Sequence, residues 1–151
     1  MNVIFVYYSA TGNGDAVAQY LRERGFGYLK IDTARPVGKM NFFKMLKYGK
    51  RAIDEKSEQL APYTFDANQC DAIILGSPIW GGRIATPMLT FIKDNPALKD
   101  KVTLAIFYSM SGNSKKAPQQ LLKYCPKAKV ISLESPKEEL DEMKRKVDQA
   151  I

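Results

Sequence analysis

The residues Ser9-Ala10-Thr11-Gly12-Asn13-Gly14 follow an almost unbroken β-branched and aromatic run, Val3 to Tyr8. They precede a helical pattern with Val17, Tyr20 and Leu21 on one face. Strand, small-residue loop and helix start are together the physical recipe for an anion site. The first N–H groups of a helix have no internal partner, and the macrodipole places partial positive charge there. Ser9, Thr11 and Asn13 add side-chain donors, while Gly12 and Gly14 allow close backbone approach. The loop holds no Lys or Arg, so the expected ligand is a phosphate held by neutral donors.

Two other stretches carry similar small polar residues. Gly76-Ser77-Pro78-Ile79-Trp80-Gly81-Gly82-Arg83 contains the only tryptophan. Trp80 has two readings: a flat wall for a planar ligand, or a large aromatic that caps the end of a sheet. Gly81 and Gly82 would let a peptide change orientation at little cost. Tyr108-Ser109-Met110-Ser111-Gly112-Asn113-Ser114 offers hydroxyls and backbone groups for a polar ring edge, or is a plain strand-to-helix turn with Ser114 as N-cap. The chain has no histidine, which argues against hydrolytic or zinc chemistry. Cys70 and Cys125 lack metal or disulfide spacing and read as small core residues, so neither a catalytic side chain nor a metal site is expected.

The elements that position these loops are strands alternating with helices. Strand-like runs are Val3–Tyr8, Gly27–Asp32, Asp71–Ser77, Val102–Tyr108 and Lys129–Leu133, an alternation that argues for a parallel sheet with right-handed crossovers. The first, third and fourth are continuously apolar, as strands covered on both faces are. The second and fifth each carry a Lys and read as edges. The expected fold class is α/β, a doubly wound five-stranded parallel sheet of order 2-1-3-4-5 with helices on both faces, in one domain spanning residues 1–151. In that order the three loops converge at the switch point between the first and third strands. Ala85, Met88, Leu89 and Ile92 form a core stripe, as do Pro118, Leu121, Leu122 and Cys125. A last helix is expected to begin at Ser135-Pro136-Lys137-Glu138 and to bury Leu140, Met143 and Val147. Between Thr33 and Gln69, Phe42, Met45, Leu46, Ala52 and Ile53 form an apolar stripe opposite Lys44, Lys47 and Arg51. The stripe reads as a crossover helix packed on the sheet with a wet cationic side, or else as a docking face for an acidic partner or membrane surface.

At these residues the chain resembles the flavodoxin family, whose phosphate loop typically reads Ser/Thr-x-Thr-Gly-x-Thr. Ser9–Gly14 matches it except at Gly14, and the GSPIWGG stretch looks more loosely like the family's first flavin-ring loop. The resemblance implies a flavodoxin-like fold and bound FMN. It places the phosphate on Ser9, Ala10, Thr11, Gly12, Asn13 and Gly14, and the ring between Ser77, Pro78, Ile79, Trp80, Gly81 and Gly82 on one side and Tyr108, Ser109, Met110, Gly112 and Asn113 on the other. Met110 is the residue left to pack the second ring face, or that face is open. The implied function is electron transfer, one or two electrons at a time, through a non-covalent flavin. An FMN-dependent NAD(P)H:quinone-type reductase and a binding module without cofactor are the alternatives.

Typical flavodoxins are strongly acidic, whereas this chain has a formal charge of +7. The expected partners are an acidic redox protein or a small-molecule acceptor, and the expected reduction potential is less negative than in acidic members. The positive residues are dispersed without a nucleic-acid signature. The start of the chain carries no signal peptide and no apolar run reaches the ~20 residues of a membrane helix, so a cytoplasmic location without membrane insertion is expected. A response-regulator receiver needs carboxylates where Tyr8-Ser9 and Gly76-Ser77 stand. A low-molecular-weight tyrosine phosphatase needs Cys and Arg in the first loop. Both are excluded.

Overall fold

The computed structural model describes residues 1–111 and 113–151. In chain order the strands are β1 (Val3–Tyr7), β2 (Gly27–Lys30), β3 (Ala72–Trp80), β4 (Arg83–Ile84), β5 (Val102–Ser109) and β6 (Lys129–Glu134). The helices are α1 (Asn13–Glu23), α2 (Phe42–Ile53), α3 (Thr86–Asp94), the short α4 (Leu98–Lys101), α5 (Lys116–Tyr124) and α6 (Leu140–Ala150). The order β2-β1-β3-β5-β6 is the doubly wound arrangement expected, all parallel, with β4 added as an antiparallel return against the end of β3.

Period-two alternation divides the interior into two cores. Val6 and Tyr8 face one layer with Ile73, Leu75, Met88, Leu89, Ile92 and Leu121, from β3, α3 and α5. Phe5 and Tyr7 face the other with Val17, Leu21, Met143 and Val147, from α1 and α6. Both sides of β1 are therefore dry, which is why its sequence is apolar throughout. Cys70 and Cys125 are free and buried, and burial pushes the Cys125 thiol up to about 11.

Several elements differ from the periodicity-based reading. β3 runs through Trp80 rather than stopping at Ser77, because Ile79 and Trp80 pair with Ile84 and Arg83 of β4. In α5, Leu122 faces solvent, and Ala117, Gln120 and Leu121 are the buried positions. Ser135 does not cap α6. It turns the chain at φ 40°, its carbonyl accepting from Glu138 and Glu139 at 2.9 and 3.0 Å, so the helix starts at Leu140 and leaves Leu140 exposed.

The largest departure is α2. Asn41 caps it, accepting from the Lys44 N–H at 2.9 Å, but the sheet-facing positions are Gly49 and Ala52. Phe42, Met45, Leu46 and Ile53, expected to pack inward, are all exposed. The reason is steric: a Cβ on Gly81 would stand 2.5 Å from the Gly49 carbonyl, so backbone meets backbone there. That approach selects small residues over the large ones whose spacing had suggested a core. Among the described residues, no helix is long and apolar enough to cross a membrane.

Candidate functional site

The end of β1 enters α1 through a tight turn. Gly12 is its N-cap in the left-handed region at φ 94°, with its carbonyl accepting from the Ala16 N–H at 3.1 Å. Ser9 Oγ accepts from the Gly12 and Gly14 N–H groups at 3.2 and 3.1 Å. Sequence reasoning assigned both amides to an anion, and the structure gives them to Ser9. A hydroxyl that accepts two N–H bonds still has its own proton to donate, so the positive end of the helix is relayed through Ser9.

The loop is not served by neutral donors alone. Lys137, 124 residues after Asn13, donates its N–H to Asn13 Oδ1 at 3.1 Å. Its Nζ donates to the Thr11 carbonyl at 2.7 Å. The left-handed Ser135 directs this turn onto the loop, a placement invisible to local sequence reading. By contrast, the carboxylate in the first turn of α1, Asp15, is engaged by the Tyr7 hydroxyl at 2.9 Å and the Lys30 ammonium at 3.0 Å.

Gly14 is explained by what lies under it. A Cβ there would collide with the Tyr108 hydroxyl and stand 2.9 Å from both Tyr108 Cζ and Ser9 Cβ. Tyr108, expected to border a ligand, is only 2% exposed and its hydroxyl donates to the Tyr8 carbonyl. Burial pushes its phenol well above the usual tyrosine range, so it stays a donor. Tyr108 thus holds the loop from beneath.

A cavity of about 370 Å³ opens beside the loop at the carboxyl ends of β1, β3 and β5. Of the expected residues, Ala10, Thr11, Asn13, Pro78, Ile79, Trp80, Gly81, Gly82, Tyr108, Ser109, Met110 and Asn113 border it. Ser9, Gly12 and Gly14 do not: they form the turn behind it. Ser77 is also absent, because its Oγ donates to the Pro78 carbonyl at 2.8 Å and accepts from the Ala85 N–H at 3.1 Å, bracing the β3–β4 hairpin. Gly112 lies outside the described residues. Ser111, of the third loop, also lines the cavity, as do Met40, Met45 and Tyr48, which sequence reasoning did not assign to the site. The last three come from α2 and its approach, whose stripe reads from sequence as sheet packing or a docking face, not as a cavity wall.

Trp80 combines its two readings. It is 8% exposed and belongs to the core, meeting Tyr8 edge-on at 5.6 Å and Tyr48 at 5.2 Å, yet it still borders the cavity. Met110 stands exposed on the rim. Ser114 lies one residue before the cap position of α5, accepting from the Ala117 N–H at 3.3 Å and donating to the Gly82 carbonyl at 2.6 Å. None of the lining side chains carries a charge. A larger concavity, about 660 Å³, lies over Tyr7, Asp15 and Arg22 on the outer side of α1. No residue of the β1–α1 turn, Ser9–Gly12, and none of β3 or β5 lines it, so it stands apart from the switch point where this fold class binds ligands.

The chain matches no protein-family model and no curated protein by sequence. Its fold is similar to that of a flavoprotein from Lactobacillus acidophilus NCFM solved in complex with FMN. That likeness has a TM-score of 0.72 and 20% identity over 95% of this chain and 98% of that one. A chain assigned as a flavoprotein from Bacteroides eggerthii DSM 20697 gives a TM-score of 0.73 and 18% identity, covering 99% and 97%. A third, from Bacteroides uniformis ATCC 8492, gives 0.69 and 21%, covering 85% and 86%. At such identities the likeness establishes the flavodoxin-like fold.

Gly14→Ala should cost about 1–3 kcal/mol by overpacking. Tyr108→Phe should cost about 1–3 kcal/mol by leaving the Tyr8 carbonyl buried without a donor. The double variant should lose less than the sum, since Phe removes the oxygen with which the new methyl collides. Urea unfolding of the four proteins measures the coupling, and strict additivity would show that the two residues do not touch.

Proposed function

We propose that this chain binds FMN and passes electrons through it, one or two at a time, to an acidic redox protein or a small-molecule acceptor. The observation that carries the reading is a cavity without charged lining residues that starts at the N-terminus of α1 and ends at Trp80 and Tyr48. Its volume of about 370 Å³ lies within the range of roughly 300–1,000 Å³ common for cofactor sites. The L. acidophilus flavoprotein solved with FMN, alike over almost its whole length, supports the same reading. Bound FMN supplies the electron chemistry, and the protein supplies position and electrostatics.

The chain's own residues divide that work. Thr11 and Asn13 on the cavity wall, with the Ser9 hydroxyl proton behind them, hold the phosphate end, and Lys137 supplies the charge. Trp80 and Tyr48 offer apolar faces to the ring. Of the Gly81-Gly82 pair, the Gly82 carbonyl already accepts the Ser114 hydroxyl at 2.6 Å, while the Gly81 carbonyl has only Arg83 Nη1 at 3.4 Å. The Gly81 carbonyl, holding only that long bond, therefore has a lone pair left to accept from a proton-bearing nitrogen of the reduced ring.

FMN added to the purified chain should quench the fluorescence of Trp80, the only tryptophan. Stepwise photoreduction of the complex then reports whether electrons enter singly or in pairs. Rapid bleaching by NAD(P)H alone would mark a direct reductase. A chain that shows no quenching and keeps no yellow colour after desalting rules the reading out. Lys137→Gln should weaken FMN roughly fivefold, the size expected for one exposed charge-assisted contact, and leave riboflavin binding unchanged. Equal loss for both ligands would place Lys137 in a purely structural role. With no carboxylate in the cavity wall, the bound flavin should have a reduction potential less negative than in acidic flavodoxins. A redox titration giving a potential as low as theirs would overturn this.

A further inference from the structure

Helix α2 leaves a wide apolar surface uncovered. Phe42 and Phe43 are 67% and 79% exposed, and Met45, Leu46 and Ile53 are exposed beside them. Phe42, Leu46 and Ile53 lie in one row at helical spacing, the two Phe rings meet edge-on at 5.8 Å, and the surface reaches the cavity rim at Met45. The polar side is wholly cationic. From Thr33 to Ile53 there are six Lys and Arg residues and no Asp or Glu.

Those cations are not equivalent. Arg51 is paired with Glu58 at 2.9 Å, and the Lys44 ammonium is tied to the carbonyls of Val37 and Lys39 at 2.7 and 3.2 Å. Lys39, Lys47 and Lys50 are exposed. Protruding Phe, Met and Leu side chains with lysines along their flank are the pattern of a helix lying in an interface, apolar face down and charges toward anionic headgroups. A second copy of a chain with formal charge +7 is a poor occupant, because its own α2 would bring the same cations to the contact.

We propose that α2 docks the protein onto an anionic phospholipid surface, lying on the membrane rather than spanning it. The proposal is independent of what fills the cavity. It is tested by sedimenting the full-length chain with phosphatidylcholine vesicles, with and without phosphatidylglycerol, at low and high salt. Binding is expected only to the phosphatidylglycerol vesicles at low salt. Phe42→Ser/Phe43→Ser should weaken it at least ~tenfold, and Lys47→Gln/Lys50→Gln roughly 25-fold. These side chains project into solvent, and matching thermal unfolding of the variants confirms an intact fold.

No sedimentation of the wild-type chain, or equal sedimentation of both variants, overturns the proposal. So does binding to polyglutamate without binding to vesicles, which would assign the surface to an acidic protein. A dimer that Phe42→Ser/Phe43→Ser converts to monomer, without vesicle binding, would assign it to a second copy.

Discussion

A proline in a central strand of a parallel sheet removes a ladder donor, and at Pro78 of β3 the structure is arranged around that loss. The ladder between β1 and β3 pairs Tyr7 with Gly76, and the Tyr8 N–H donates to the Gly76 carbonyl at 3.1 Å. One step further, the Tyr8 carbonyl would accept from the N–H of residue 78, which proline lacks. The Tyr108 hydroxyl crosses from β5 and donates to that carbonyl instead. Placing the phenol there fills the space beneath residue 14, so residue 14 must be glycine. It also frees β1 to leave the sheet at Tyr8, where the anion turn begins. Gly14, which departs from the phosphate loop typical of flavodoxins, thus follows from how the sheet satisfies one buried carbonyl.

The same arrangement sets what could be read from the chain alone. Strand order was legible because burial on two faces leaves an unmistakable mark: β1, β3 and β5 are apolar throughout, while β2 and β6 carry exposed lysines. The meeting of three loops followed from that order. The role of Tyr108 was not legible, because a tyrosine at a strand end reads alike whether its ring points into a site or beneath it. Ser77 was misread for a related reason: a serine beside a presumed ligand loop looks like a donor, yet its hydroxyl is spent on the hairpin.

Helix α2 failed differently. Hydrophobic periodicity identifies a face but not its neighbour, and here close backbone approach at Gly49 and Gly81 chose the small residues for contact. The glycines attributed to a mobile peptide are thus partly a packing requirement, at least at Gly81. Lys137 was out of reach for yet another reason. Its position depends on a left-handed Ser135, and non-glycine residues enter that region too rarely for sequence to announce it.

These placements separate two properties that a flavin site must combine. Lys137 and the α1 terminus bring positive charge to the β1–α1 turn, while no side chain lining the walls around Trp80 and Tyr48 is itself charged, the nearest cation there being the Lys47 ammonium 5.5 Å from the Tyr48 ring. Coulomb interactions fall with distance and are screened over about 8 Å at physiological salt. Charge at the turn therefore acts mainly on a bound phosphate and only weakly on a ring at the far end. The affinity of the proposed cofactor is then set at one end and its electron chemistry at the other. The basic surface contributes little to either, because its charges are dispersed and solvated. Where the surface charge does concentrate, along α2, it lies beside the Met45 and Tyr48 end of the cavity.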